Sequence, residues 1–290
     1  MSLRLTNIQR FCTGDGPGIR TTLFTKGCSI LCPWCANPEN LSGELQYYKS
    51  DQCLAWNNSC SLSNTCKGNK CVSSLKQEDY ERCPITAIKI YGKDWEIEDI
   101  ESVCLKDRYF YGVEGGITIS GGEALLQADE LAKLFFRMKQ NSIGCCIETS
   151  LYAKEESLRC LIEYLSYIYI DFKILDPETA KEKLKAKPEL FEANLEYLFS
   201  NLYKDKICVR VPLVKGYTCT ENNIRKIAQY LKYYKPGLCE IFSVHNLGKR
   251  KYETLGMKYH EFPTIDANIL EDIQHYLYDT SAVKIIINNI

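Results

Sequence analysis

Six short runs rich in β-branched and aromatic residues, beginning near Arg20, Gly116, Ile143, Tyr167, Ile207 and Glu240, alternate with stretches of helical periodicity. This alternation constrains the fold most, because strands separated by helices return in the same direction and pair in parallel through right-handed crossovers. The helical stretches are expected at 97–112, 124–139, 176–185, 188–203, 220–234 and 266–278, and a flanking strand at 283–287. The expected fold is α/β, a parallel and partly closed barrel, and 290 residues suit one such core plus a modest insertion. Every chemistry-bearing motif is expected at a strand's C-terminal end, the face that carries the active site in parallel barrels.

The strand at 20–25 runs into Lys26-Gly-Cys-Ser-Ile-Leu-Cys-Pro-Trp-Cys-Ala-Asn-Pro-Glu39, which packs Cys28, Cys32 and Cys35 into one loop. That spacing is too tight for the usual structural zinc pattern of two separated pairs, although zinc completed by a remote cysteine stays open. Three thiolates can hold a 4Fe-4S cluster and leave one iron free to bind a small molecule. The chain has 16 cysteines in all. Residues 1–10 carry Arg4 and Arg10 and no apolar run of signal-peptide or membrane-span length, so a cytoplasmic location is expected. In a reducing compartment such a count favours metal or redox chemistry over disulfides. With 36 basic and 37 acidic side chains, the net charge of −1 marks neither nucleic acid nor membrane as a partner.

Residues 50–92 change character: Cys53, Cys60, Cys66, Cys71 and Cys83 stand in a polar stretch without periodicity, which reads as a small insertion stapled by metal. Zinc, or no metal, is the alternative there. The remaining cysteines, at 12, 104, 145, 146, 160, 208, 219 and 239, read as buried thiols. Gly14-Asp15-Gly16-Pro17-Gly18 is either an ordinary turn or a place where the backbone approaches another chain closely. Gly116-Ile-Thr-Ile-Ser-Gly-Gly-Glu123 is a strand ending in two glycines and an acid, the form of a strand-to-helix turn. Strand alternation puts Tyr169, Asp171 and Lys173 on one face and Ile168, Ile170 and Phe172 on the other, and it sets Arg210 opposite Val209 and Val211. A charge within such a run needs a partner, either structural or bound.

Cys-x3-Cys-x2-Cys with Trp34 before the third cysteine resembles the radical S-adenosylmethionine superfamily. Asp15-Gly-Pro-Gly-Ile-Arg20 and Cys35-Ala-Asn-Pro-Glu39 narrow the likeness to activating enzymes of glycyl radical enzymes, over nearly the whole length. The resemblance implies a partial (β/α)6 TIM-like barrel, 1–49 and 93–290, bearing a ferredoxin-like cysteine insert at 50–92. It implies a 4Fe-4S cluster on Cys28, Cys32 and Cys35, with S-adenosylmethionine at the open iron. Contacts to S-adenosylmethionine would come from Trp34, Asn37, Ser120, Gly121, Gly122, Glu123, Arg210 and His245, and from Lys173 on the nucleotide carboxylate.

Asp171, Glu148 and Thr149 match a monovalent-cation site in which glutamate replaces the usual aspartate, and Ala124 stands where most relatives have proline. Asp15, Gly16, Gly18 and Arg20 would guide the glycine loop of a glycyl radical enzyme, the protein substrate. A flavodoxin- or ferredoxin-type protein would donate the electron. The insert departs from a two-cluster ferredoxin, having five cysteines where eight are needed, so at most one auxiliary 4Fe-4S cluster is expected, including Cys83. A radical enzyme acting on a peptide or small molecule, and an electron-transfer protein without turnover, are the rival readings.

Overall fold

The computed structural model describes residues 2–50, 75–83 and 85–288. Its strands are β1 (Ser2–Cys12), β2 (Arg20–Thr25), β3 (Gln46–Lys49), β4 (Ile88–Tyr91), β5 (Lys93–Glu96), β6 (Gly116–Gly121), β7 (Gly144–Thr149), β8 (Leu165–Asp171), β9 (Ile207–Leu213), β10 (Leu238–Ser243) and β11 (Ile285–Ile287). Its helices are α1 (Gln77–Arg82), α2 (Ile97–Tyr111), α3 (Ala128–Gln140), α4 (Glu155–Arg159), α5 (Pro177–Leu184), α6 (Pro188–Asn201), α7 (Glu221–Tyr234), α8 (Lys249–Thr254) and α9 (Ala267–Ser281). The six expected strands are β2 and β6 to β10, and the flanking run at the end of the chain adds β11 in parallel to β10.

The sheet does not close. Its order is β11-β10-β9-β8-β7-β6-β2-β1-β5, so β11 and β5 are its edges and the barrel is partial. Two antiparallel strands, β1 and β5, extend it beyond β2. The sequence reading did not anticipate β1. Within Ser2–Cys12 only Leu3, Leu5 and Cys12 are buried, so the apolar alternation that marks an inner strand is nearly absent.

Period-two alternation divides the sheet's faces as expected. Ile117, Ile119, Ile147, Ile168, Ile170, Val209, Val211 and Ile241 join one fully buried core with helical residues such as Ile100, Leu134, Leu195, Ile227 and Leu277. The other face carries Thr22, Thr118, Glu148, Asp171 and Arg210 above a small cluster of Cys146, Tyr169 and Cys208. Helix ends follow local chemistry. Asp176 and Thr220 cap α5 and α7 through their side chains, and Gly112 ends α2 at φ 61°.

The insertion leaves and rejoins this core through a two-stranded ladder, in which Gln46 faces Tyr91 and Lys49 faces Ile88. Beyond it the Ser50 N–H donates to Ala87 O at 2.8 Å. Backbone pairing thus joins residues 46–50 to residues 87–91. Of the five insert cysteines, Cys53, Cys60, Cys66 and Cys71 lie outside the described residues. Among the described residues no helix is long and apolar enough to cross a membrane.

Candidate functional site

The C-terminal ends of the parallel strands, with the loop after β2, enclose a cavity of about 290 Å³. Cys28, Cys32, Trp34, Cys35 and Asn37 line it from the loop, Ser120 and Gly121 from β6, Gly122 just beyond, Glu148 and Thr149 from β7, Asp171 from β8, Lys173 after β8, Arg210 from β9 and His245 after β10. Strands far apart in sequence thus converge on one space, as the topology requires.

The glycines at 121 and 122 have a steric reason. Gly121 has φ +105°, and a Cβ there would lie 2.4 Å from Thr25 N; a Cβ on Gly122 would lie 1.9 Å from Gly27 O. Only a bare backbone lets the end of β6 lie against the cysteine loop. The Glu123 N–H then donates to Gly27 O at 2.8 Å, joining the two segments, and the Gly27 N–H donates to Asn40 O at 2.9 Å, closing the cysteine loop on itself.

Two ion pairs face the cavity. Lys173 Nζ lies 2.8 Å from Asp171 Oδ2, and Arg210 Nη1 lies 2.7 Å from Glu148 Oε1. The Arg210 guanidinium also sits 5.2 Å from the Tyr169 ring centroid and 5.5 Å from that of Phe242. Burial pushes the Glu148 carboxyl above its ordinary range while Arg210 pulls it back. Burial also opposes the charge on Lys173, but Asp171 and nearby Cys32 hold its pKa above the usual lysine value. Burial raises Cys28 to about 11 and raises Cys32 and Cys35 as well, with Lys173 opposing in each case. As free thiols these groups are protonated, so metal binding must release protons.

The donor set fits an iron-sulfur cluster. Three free cysteine sulfurs share one cavity wall. The monovalent cation fits poorly. Glu148 is engaged by Arg210 and Ser120, Asp171 by Lys173, and the Thr149 hydroxyl donates to Glu123.

Three expectations need correction. The Glu123 side chain is 1% exposed and absent from the cavity wall. It accepts from Leu125 N, Thr149 Oγ1, Ser150 N and Ser150 Oγ, so it braces the turn instead of touching a ligand. Arg20 cannot meet a partner protein, because it is fully buried and donates to Thr118 Oγ1 and to the carbonyls of Pro17, Glu114, Ile117 and Gly144. The glycine loop lies at the N-terminal end of β2, away from the cysteine loop. Gly16 packs on Arg20, Gly18 at φ +70° packs on the Gly115 backbone, and Asp15 accepts from Thr22 Oγ1 at 2.6 Å. Close packing within the chain accounts for these glycines.

Several residues of the site escaped the sequence reading. Lys26 is buried, its pKa lowered to about 8 by that burial, and its Nζ donates to Glu39 O and to Gln46 Oε1. Lys251 on α8 donates to Asn37 Oδ1 and Glu39 Oε1, both at 2.6 Å, and the Tyr252 hydroxyl donates to Cys35 O at 3.0 Å. Helix α8 thus clamps the cysteine loop from more than 200 residues away, a contact no local pattern signals. Asn40 lines the cavity five residues after Cys35, one position beyond the motif read as Cys35 to Glu39. In the insert, burial opposes ionisation of Cys83, yet the backbone N–H groups of residues 85–88 bring its pKa below the ordinary thiol value.

The family model described as the radical SAM superfamily matches residues 22–231. The chain is 32% identical over 273 residues to the (2S)-3-sulfopropanediol dehydratase activating enzyme of Klebsiella oxytoca, covering 87% of this chain and 85% of that one. It is 33% identical over 256 residues to the pyruvate formate-lyase 2-activating enzyme of Escherichia coli (strain K12), covering 87% and 81%. Among solved structures, a domain of a pyruvate-formate lyase-activating enzyme from Bacteroides vulgatus superposes with a TM-score of 0.50 at 22% identity, over 60% of this chain and 99% of that one. At that identity the match speaks for the fold alone.

Proposed function

The chain belongs to the radical S-adenosylmethionine superfamily and, within it, to the activating enzymes of glycyl radical enzymes, and we propose that the cavity beside Cys28, Cys32 and Cys35 is where it does this work. The observation that carries the assignment is convergence. Cys28, Cys32 and Cys35 share one wall with the Gly121-Gly122 turn and with Asp171, Lys173, Arg210 and His245, contributed by separate strands.

In this reading the three thiolates hold a 4Fe-4S cluster. When bound, that cluster supplies one electron, which splits S-adenosylmethionine into methionine and a 5'-deoxyadenosyl radical able to take a hydrogen atom from a glycine Cα of the partner enzyme. The chain's own residues hold the substrate and keep water away. Gly121 and Gly122 expose backbone carbonyls to the ammonium group. Lys173 offers its charge to the carboxylate, and Asp171, its present partner, keeps it protonated. Trp34, in edge contact with Tyr217 at 5.3 Å, and His245 flank the nucleoside. Arg210, stacked between two rings, supplies fixed positive charge near the cavity floor.

The wider assignment follows the same reading. The electron comes from a flavodoxin- or ferredoxin-type protein in the cytoplasm. Residues 50–92 form a separate insert whose cysteines hold one auxiliary 4Fe-4S cluster, with Cys83 as a ligand because backbone N–H groups already surround its sulfur. No step passes through a monovalent cation. The test is anaerobic: replacing Cys28, Cys32 and Cys35 by alanine abolishes 5'-deoxyadenosine formation from S-adenosylmethionine under a chemical reductant. Turnover that survives the triple substitution would refute the assignment.

A further inference from the structure

We propose that Asn40 contacts the amino-acid end of S-adenosylmethionine, its Nδ2 donating to the carboxylate and its Oδ1 accepting from the ammonium. This rests on the functional reading above. Asn40 is 2% exposed and lines the cavity, yet neither side-chain atom has a hydrogen-bond partner among the described residues. A buried carboxamide left unmet in this way is rare in native interiors, because its desolvation goes uncompensated.

The backbone of Asn40 is fully used. Its N–H donates to Asn37 O and its carbonyl accepts from Gly27 N, both at 2.9 Å. The residue is therefore held in place while its side chain is idle. It also stands against the glycine turn, since a Cβ on Gly122 would lie 2.9 Å from Asn40 O. The cavity's four charged side chains are already paired, Lys173 with Asp171 and Arg210 with Glu148. Among the described residues two groups of the lining keep unmet buried polar atoms, the Arg210 Nε donor and the Asn40 carboxamide, and of these Asn40 alone has both a free donor and a free acceptor. A zwitterionic α-amino acid presents the complement of both.

The test compares wild type with Asn40→Ala, which removes both polar atoms without adding bulk, in anaerobically reconstituted holoenzyme. Equilibrium dialysis with radiolabelled S-adenosylmethionine is expected to show Kd raised roughly tenfold or more in the variant. An unchanged Kd overturns the proposal, since it gives Asn40 no polar group that meets the ligand. Failure of the wild-type holoenzyme to bind S-adenosylmethionine would sink the functional reading itself, a result distinct from equal binding by both proteins.

Discussion

Replacing Arg210 by methionine removes a cation of the cavity wall that lies 2.7 Å from Glu148 in the same wall and 3.9 Å from Glu240 outside it. The Glu148 carboxylate is left with Ser120 Oγ as its remaining hydrogen-bond donor among the described residues. Breaking a buried pair by removing one partner costs about 3 kcal/mol, more than an exposed pair is worth, because the remaining charge stays desolvated. For a chain of this size that corresponds to a Tm lower by roughly 5 °C.

The deficit should depend on pH in one direction. Burial already raises the Glu148 pKa in the folded state above its value in the unfolded chain. Folded protein therefore holds this proton more tightly, and the group's contribution is present at low pH and lost as pH rises through the folded pKa. Removing Arg210 strengthens that linkage. The gap between wild type and variant should be widest in neutral to alkaline solution and narrow as the pH falls and Glu148 protonates. Anaerobic thermal melts of both reconstituted proteins across that range measure it. A gap that stays flat with pH, or one that widens toward acid, would refute the assignment of the cost to an unpaired Glu148.

Other substitutions probe separate parts of the site. Lys251→Met unpairs the buried Glu39 carboxylate and loosens the clamp on Asn37; a loss of about 1–3 kcal/mol is expected, with faster iron release to a chelator than from wild type. Gly122→Ala places a methyl group 1.9 Å from Gly27 O, so the loop must move; an expected cost of about 3 kcal/mol or more should appear in denaturant melts. Glu123→Gln turns one of the oxygens that receive the donors of Leu125, Thr149 and Ser150 into a donor. It should lower stability by about 2 kcal/mol while leaving the Kd for S-adenosylmethionine near wild type, which separates bracing from binding. Iron analysis of the holoenzyme should give roughly eight atoms per chain with an auxiliary cluster, falling to roughly four when the insert cysteines are replaced.

Much of this arrangement is written locally in the chain. Ile168 and Ile170 alternate with Tyr169 and Asp171, and Val209 and Val211 with Arg210, so the strands, their two faces and the side bearing the chemistry can be read directly. The cysteine spacing and the paired glycines carry the site for the same reason, since each motif is contiguous. Long-range consequences are not written in this way. Arg20 reads as an exposed recognition residue, yet it is buried because four backbone carbonyls, three of them from residues 114–144, satisfy its guanidinium. Lys251 reaches Asn37 and Glu39 only because β10 and α8 return the chain to the mouth of the sheet. Asn40 resembles any loop asparagine until its burial and its lack of partners are known.

The central claim is that a radical made from S-adenosylmethionine in this cavity removes a hydrogen atom from a glycine in another protein. The direct measurement pairs the reduced holoenzyme with a candidate glycyl radical enzyme, prepared with Cα-deuterated glycine, from the same cell. Mass spectrometry of the 5'-deoxyadenosine follows the deuterium while electron paramagnetic resonance follows the protein radical. The account predicts deuterium in the 5'-deoxyadenosine together with a glycyl radical on the partner, and neither signal with the Cys28, Cys32 and Cys35 alanine variant. Unlabelled 5'-deoxyadenosine formed with a cognate partner, and no glycyl radical on it, would contradict the account.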